Sequence, residues 1–300
     1  MNFVGIIAEY DPFHSGHALQ LRMLRQRGAS TIAVCMSTGV VQRGGVPILP
    51  EAVRVRAALA AGADLVVALP APYANASAEQ FAAAGVHLLA ALGCDTLAFG
   101  AETPEPAPLQ AAAAALCSAA FPAALRSQLE SGLPFAAARH SALEQVLGEK
   151  LSAGANDLLA SEYLRFWPGE KPALAVPRRD GGHGGARSAS RVRALLLEGH
   201  WEEALALLPP GSREVLLRER GRCPACLDFA ERAVLYRLRS MTAAEFAAIP
   251  DCTEGLEHRL VRAAARAGSL EEFYGLVKSK RYAHARIRRI ALRAFLGIQA

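Results

Sequence analysis

The chain has 300 residues, 52% of them apolar and 20% charged. That suffices for one large core or two smaller ones and is too apolar for a disordered chain. No run reaches the roughly 18–20 apolar residues of a membrane span. The basic start and cleavage site of a secretory leader are also missing, so the expected location is the cytoplasm. The net charge of +5 is less informative than its distribution. Lys278, Lys280, Arg281, Arg286, Arg288, Arg289 and Arg293 fall in one stretch without an acid, which points to a polyanionic partner.

In chain order, residues 3–8, 31–36, 64–69 and 95–99 are short apolar runs with β-branched members, and they read as strands. Helical spacing covers 16–27, 50–62 and 77–92 between them. Strands apolar on both faces and separated by single helices predict a parallel sheet covered on both sides. Residues 106–170 read as alanine-rich helix and 173–176 as a fifth strand. The glycine-rich run 179–187 reads as a mobile loop. From 188 the apolar spacing is helical almost to the end. The predicted fold class is therefore α/β: a Rossmann-like sheet domain over 1–187, then an α-helical region over 188–300.

The strongest local signal is Glu9-Tyr10-Asp11-Pro12-Phe13-His14-Ser15-Gly16-His17, directly after the first strand and before a helix. A helix N-terminus offers N–H groups and a positive dipole end to a phosphate. His14 and His17 share one face, and both imidazoles can donate to phosphate oxygens as charge builds at an α-phosphorus under attack. Gly16 leaves room for a ligand to approach the backbone. A metal pair or two ordinary surface histidines would compete with this reading, but the position after strand one with Pro12 and Gly16 favours a nucleotide. No metal site is expected. Ser188-Ala189-Ser190-Arg191-Val192-Arg193 reads as a helix cap that can also bind phosphate. Arg178 and Arg179, after the fifth strand, can add bidentate phosphate contacts. Gln42-Arg43-Gly44 either meets a phosphate or an acid, or is an ordinary polar turn. In the basic stretch, Tyr282 or His284 could stack on a base; a solvated helix face is the alternative. Cys223-Pro-Ala-Cys226 reads as incidental, with half a zinc site or a redox pair as alternatives.

Taken together, EYDPFHSGH, VVQRG, GADLVVALP, TLAFGAE, GANDLLASEYL, SASRVR, EGLEHRL and VKSKRYAHARIRR resemble, in order, the bacterial tRNA(Met) cytidine acetate ligase family of HxGH nucleotidyltransferases. The resemblance runs over essentially the whole chain. It implies that acetate and ATP give acetyl-adenylate and pyrophosphate; ATP chemistry normally brings Mg²⁺ with the phosphates. The N4 amine of the wobble cytidine of elongator tRNA(Met) then takes the acetyl group, releasing AMP. It implies ATP contacts along Ile7 to Gln20, taking in Ile7, Ala8, Glu9, Tyr10, Pro12, Phe13, Gly16 and Gln20, with His14 and His17 on the phosphates. Gly100, Asn156, Arg178 and Arg179 match further nucleotide positions, with Ser188 and Arg193 in the second half of the site. Lys278, Lys280, Arg281, Arg286, Arg288 and Arg289 would face tRNA.

The chain departs from the family pattern in several places. Asp11 stands where asparagine is usual, Ser37-Thr38-Gly39 where SGN is usual, and His183 where tyrosine is usual. A lysine expected near Glu51 is missing, and family members usually continue beyond a residue equivalent to Ala300. A divergent relative using another acid or acceptor, or a silent tRNA-binding relative, is the alternative.

Overall fold

The computed structural model describes residues 1–103, 105–152, 154–177 and 188–299. Each apolar run becomes a strand: β1 (Phe3–Ala8), β2 (Thr31–Ser37), β3 (Leu65–Leu69), β4 (Thr96–Ala101) and β5 (Ala173–Pro177). All pair in parallel in the order β3-β2-β1-β4-β5. The chain therefore builds outward from β1 in one direction and then in the other. The carboxyl ends of β1 and β4 flank the point where the order reverses, the place where open parallel sheets bind ligands.

Alternation along the strands sorts the core into two layers. Val4, Ile6, Ile32, Val34 and Met36 face Leu21 and Leu24 of α1 (Ser15–Gln26) and Ala57 and Ala58 of α2 (Glu51–Ala60). Ile7, Ala33, Cys35, Leu97 and Phe99 face α4 (Ala78–Ala91) and α8 (Ala155–Phe166). The short helix α3 (Ala71–Ala74) links β3 to α4. The alanine-rich stretch forms α5 (Pro106–Cys117), α6 (Phe121–Glu130) and α7 (Phe135–Leu147) before α8. One expectation is corrected. β3 is one of the two edge strands, and Leu65 keeps 37% of its surface exposed, because a strand with a single neighbour is covered on fewer sides.

The helices that follow divide between two cores. Those of α9 (Ala189–Leu197), α10 (Trp201–Ala206) and α11 (Pro210–Arg218) pack on Ile48, Leu49 and Val53 beside the sheet. Another core is built by α12 (Glu231–Ser240), α13 (Ala243–Ala247), α14 (Leu256–Arg266), α15 (Leu270–Val277) and α16 (His284–Leu296). α16 also reaches the core under the sheet: Ile287, Ile290 and Ala294 face its own bundle, whereas Leu292 lies among the α4- and α8-facing residues of the sheet.

No single helix among the described residues is long and apolar enough to cross a membrane. The pair α5 and α6 meets the length and composition test only jointly, and it is bent by 84°. Cys35 and Cys94 are buried free thiols, and Cys223 and Cys226 are half-buried and free.

One buried charge fastens the strand ends together. Arg54 of α2 has no solvent exposure. Its guanidinium donates to the carbonyls of Glu9 (2.7 Å), Ser37 (2.8 Å), Leu49 (3.2 Å) and Thr38. Removing it would leave several buried carbonyls unsatisfied and the nearby acids uncompensated. Arg54→Met is therefore expected to lower the unfolding free energy by about 3–5 kcal/mol. The readout is a lower urea midpoint at an unchanged slope.

Candidate functional site

α1 begins where β1 ends, and its first turn is capped by its own histidines. His14 is the N-cap in extended conformation, and its Nδ1 accepts from the N–H of Gly16 at 3.0 Å. His17 returns the bond: its Nδ1 accepts from the N–H of His14 at 3.3 Å. The rings stack at 3.9 Å between centroids. With both Nδ1 atoms accepting, each neutral imidazole carries its proton on Nε2 and is a donor there. The pair is thus formed by a cap and a third helical residue rather than by two residues on one helix face. His14 is 6% exposed and His17 more so. Gly16 is required by the cap itself, since a Cβ would sit 2.8 Å from His14 Cε1.

Aromatic packing supports the pair. Tyr10 lies 4.7 Å from His17 and 4.7 Å from Phe13, ring to ring. Tyr10 holds a left-handed φ of 46°, a conformation costing roughly 1–3 kcal/mol for a bulky residue. Its buried hydroxyl has no hydrogen-bond partner among the described residues, and burial pushes its pKa up. The side chains of Ile7, Tyr10 and Phe13 are in the cores. A nucleotide contact at these three residues would therefore run through backbone atoms. Pro12 and Gln20 are also buried, and Ala8 is partly exposed.

On the β2 side of β1 lies a cluster of opposite charges. Glu9 accepts from the N–H of Gln42 (2.7 Å) and from Arg43 (3.3 Å). Asp11, 3% exposed, accepts from the N–H of Ile48 (2.6 Å) and from Arg43. Arg193 of α9 donates to the Asp11 carbonyl at 2.6 Å and to Ser190 Oγ at 3.0 Å. Ser188 caps α9 as expected, accepting from the N–H of Arg191 at 3.3 Å.

On the β4 side, register brings Gly100 level with Val176. Continuing the β1–β4 register by two residues sets Ala8 beside it. Asn156 donates to Glu102 at 2.5 Å, and Glu102 also accepts from the N–H of Asp157 at 3.0 Å. Asp157 in turn accepts from the N–H groups of Glu102 and Thr103. The structure thus sets the histidine pair, Gly100 and Asn156 around one sheet edge. Arg178, Arg179 and His183 lie outside the described residues.

Comparison with known proteins fits this geometry. The HIGH Nucleotidyl Transferase family pattern matches residues 1–300. A tRNA(Met) cytidine acetate ligase of Syntrophomonas wolfei is 36% identical over 97% of this chain and 75% of its own length. One from Listeria monocytogenes is 34% identical over 100% and 81%. The crystal structure of Thermotoga maritima TmcAL bound with α-thio ATP superposes with a TM-score of 0.89, at 30% identity, over 100% of this chain and 76% of that one. The chain belongs to the tRNA(Met) cytidine acetate ligase family.

The basic stretch of this ligase-family chain is less uniform than its sequence. Lys278, Lys280 and Arg281 are exposed. Arg286 is held by the Asp251 carbonyl (2.9 Å) and Thr253 (2.7 Å), and Arg288 lies over the Tyr274 ring and pairs with Glu271. Arg289, 9% exposed, points inward to Asp251. This corrects its reading as a surface contact. Tyr282 is buried with its hydroxyl donating to the Glu254 carbonyl, so it is not a stacking platform. Arg54, Glu102 and Asp157 were missed from sequence. Their signal was faint: an arginine inside an alanine helix, and single acids beside a strand end or in a helix's first turn. Among the described residues no three His, Cys, Asp or Glu side chains are grouped to hold a metal ion.

Burial raises the Glu9 carboxyl above its ordinary 4.5, against the lowering pull of Arg43 and the Gln42 N–H. A pKa raised on folding means the folded chain binds that proton more tightly. Stability then falls as pH climbs from the unfolded value through the folded one. Urea titrations between about pH 4 and about pH 7 should show wild type losing stability relative to Glu9→Gln as pH rises. Parallel curves would refute the dominance of burial at this carboxyl.

Proposed function

We propose that this chain activates acetate with ATP, entering as its Mg²⁺ complex, and transfers the acetyl group to N4 of the wobble cytidine of elongator tRNA(Met) in the cytoplasm. The observation that carries the reading is the mutually capped His14–His17 stack at the carboxyl end of β1. It follows β1, whose neighbour β4 carries Gly100 across the sheet's reversal point, in a chain of this ligase family. ATP is assigned to residues 1–187, completed by Arg193 reaching in from α9. RNA is assigned to the helices over 188–300.

In the first step, an acetate oxygen attacks the α-phosphorus and pyrophosphate leaves. Both Nε2–H groups donate to phosphate oxygens on which negative charge grows. Their geometry is fixed beforehand by the caps, so no reorganisation is needed as the charge develops. In the second step, the cytidine amine attacks the acetyl carbon and AMP departs. Ala8, Pro12, Gly16, Gly100 and Asn156 line the nucleotide position. The exposed Lys278, Lys280 and Arg281 supply cationic contacts to the RNA backbone.

Incubation with ATP, acetate and tRNA(Met) should give AMP and N4-acetylcytidine, detected by nucleoside mass spectrometry. His17→Ala should lower kcat by about 10²–10³, the usual loss for one preorganised donor. Wild-type-like turnover by that variant would remove the histidines from the chemistry. Changing Lys278, Lys280 and Arg281 together to alanine should reduce the slope of log affinity against log salt for tRNA by about 2. An unaltered slope would place the RNA elsewhere.

A further inference from the structure

We infer that Arg43 anchors the carboxylate of the acid substrate, on the β2 side of the histidine pair. This rests on the adenylating reading above and names a residue that reading leaves unassigned. Three guanidinium groups, of Arg43, Arg54 and Arg193, surround the carboxylates of Glu9 and Asp11. With Glu51 also near Arg54, the cluster is close to charge balance, which leaves no excess of positive charge for a polyanion.

The three arginines differ in reach. Arg54 is fully buried on carbonyls. The Arg193 side chain is 22% exposed, and that of Arg43 is 42% exposed. Arg43 is thus the most open to a ligand arriving from solvent. Two carboxylates already touch its guanidinium, which disfavours a polyphosphate there. A small carboxylate needs only the N–H groups that Glu9 and Asp11 leave over, and it adds one charge. The placement agrees. Gln42 is bonded to Glu9 at the end of β1, the strand that leads into His14, whereas Gly100 and Asn156 lie across β1 on the β4 side.

The turn carrying Arg43 is also fixed from outside. Gly44 has φ +83°, and a Cβ there would come within 2.5 Å of Arg289 N and 2.7 Å of Arg288 C in α16. Arg43 is therefore held by Glu9 and Asp11, in a turn whose Gly44 abuts α16. In the step, one acetate oxygen rests on Arg43 and the other bonds to the α-phosphorus. The bond to the bridging oxygen breaks, and pyrophosphate leaves with that electron pair; no proton or further reactant is consumed.

The test is acid-dependent ATP–pyrophosphate exchange without RNA, using formate, acetate and propionate. Arg43→Gln should raise the acetate KM about 10- to 100-fold, the range of one charge-assisted contact, and leave the ATP KM within about twofold. Arg43→Lys should fall between, since an ammonium keeps the charge and loses the fork. Gly44→Ala should raise the acetate KM with the guanidinium intact; if Arg43→Gln does not fold, these two variants carry the test. An unchanged acetate KM, or a raised ATP KM alone, overturns the inference and leaves the adenylating reading standing. Exchange driven by formate or propionate instead, and weakened by Arg43→Gln, upholds the anchor and corrects the acid. Wild-type exchange with none of the three acids overturns both.

Discussion

A guanidinium sealed inside the protein holds the ends of β1 and β2 in one frame. Arg54 binds the carbonyls of Glu9, Ser37, Thr38 and Leu49, so the two strands that lead into the candidate site cannot splay. Strand carboxyl ends carry unpaired carbonyls wherever the ladder stops, and buried carbonyls need partners. One arginine satisfies several at once. Its charge is balanced through space by Asp11, Glu51 and Glu9, and two of these acids then organise Arg43 and Arg193.

From that frame the chemistry follows in short steps. β1 ends, Tyr10 turns through a left-handed φ, and His14 caps α1 while His17 caps His14. The two rings are tied down before any nucleotide arrives. A donor that is already oriented stabilises developing charge without first reorganising, which is the largest single contribution in many transfer enzymes. Aromatic contacts from Tyr10 and Phe13 hold the stack from behind.

The sheet was legible in the sequence because its strands are apolar on both faces and its helices sit singly between them. Residues 3–8 form β1 as read, and the other strand bounds differ by one or two positions. The exposed edge at β3 was hidden, since strand order is not written in composition. At the site, the histidines and the Ser188 cap were readable as a local motif. The pairing of Asp11 with Arg43 and Arg193 was not, because those residues are 32 and 182 positions apart. The basic stretch misled for a related reason. A run of arginines looks alike whether a residue faces water, as Arg281 does, or an interior acid, as Arg289 does with Asp251.

The double membership of α16 has a mechanical consequence. Leu292 fills space under the sheet while Ile287 and Ile290 fill the helical bundle, and Arg293 reaches the Pro72 carbonyl and Asp251. The last helix is thus a rivet through both halves of the molecule. Neither half could be grafted onto another protein as a self-sufficient module, because each would leave behind part of its own interior. A load on the residues just before this rivet would pass through α16 to Leu292 under the sheet.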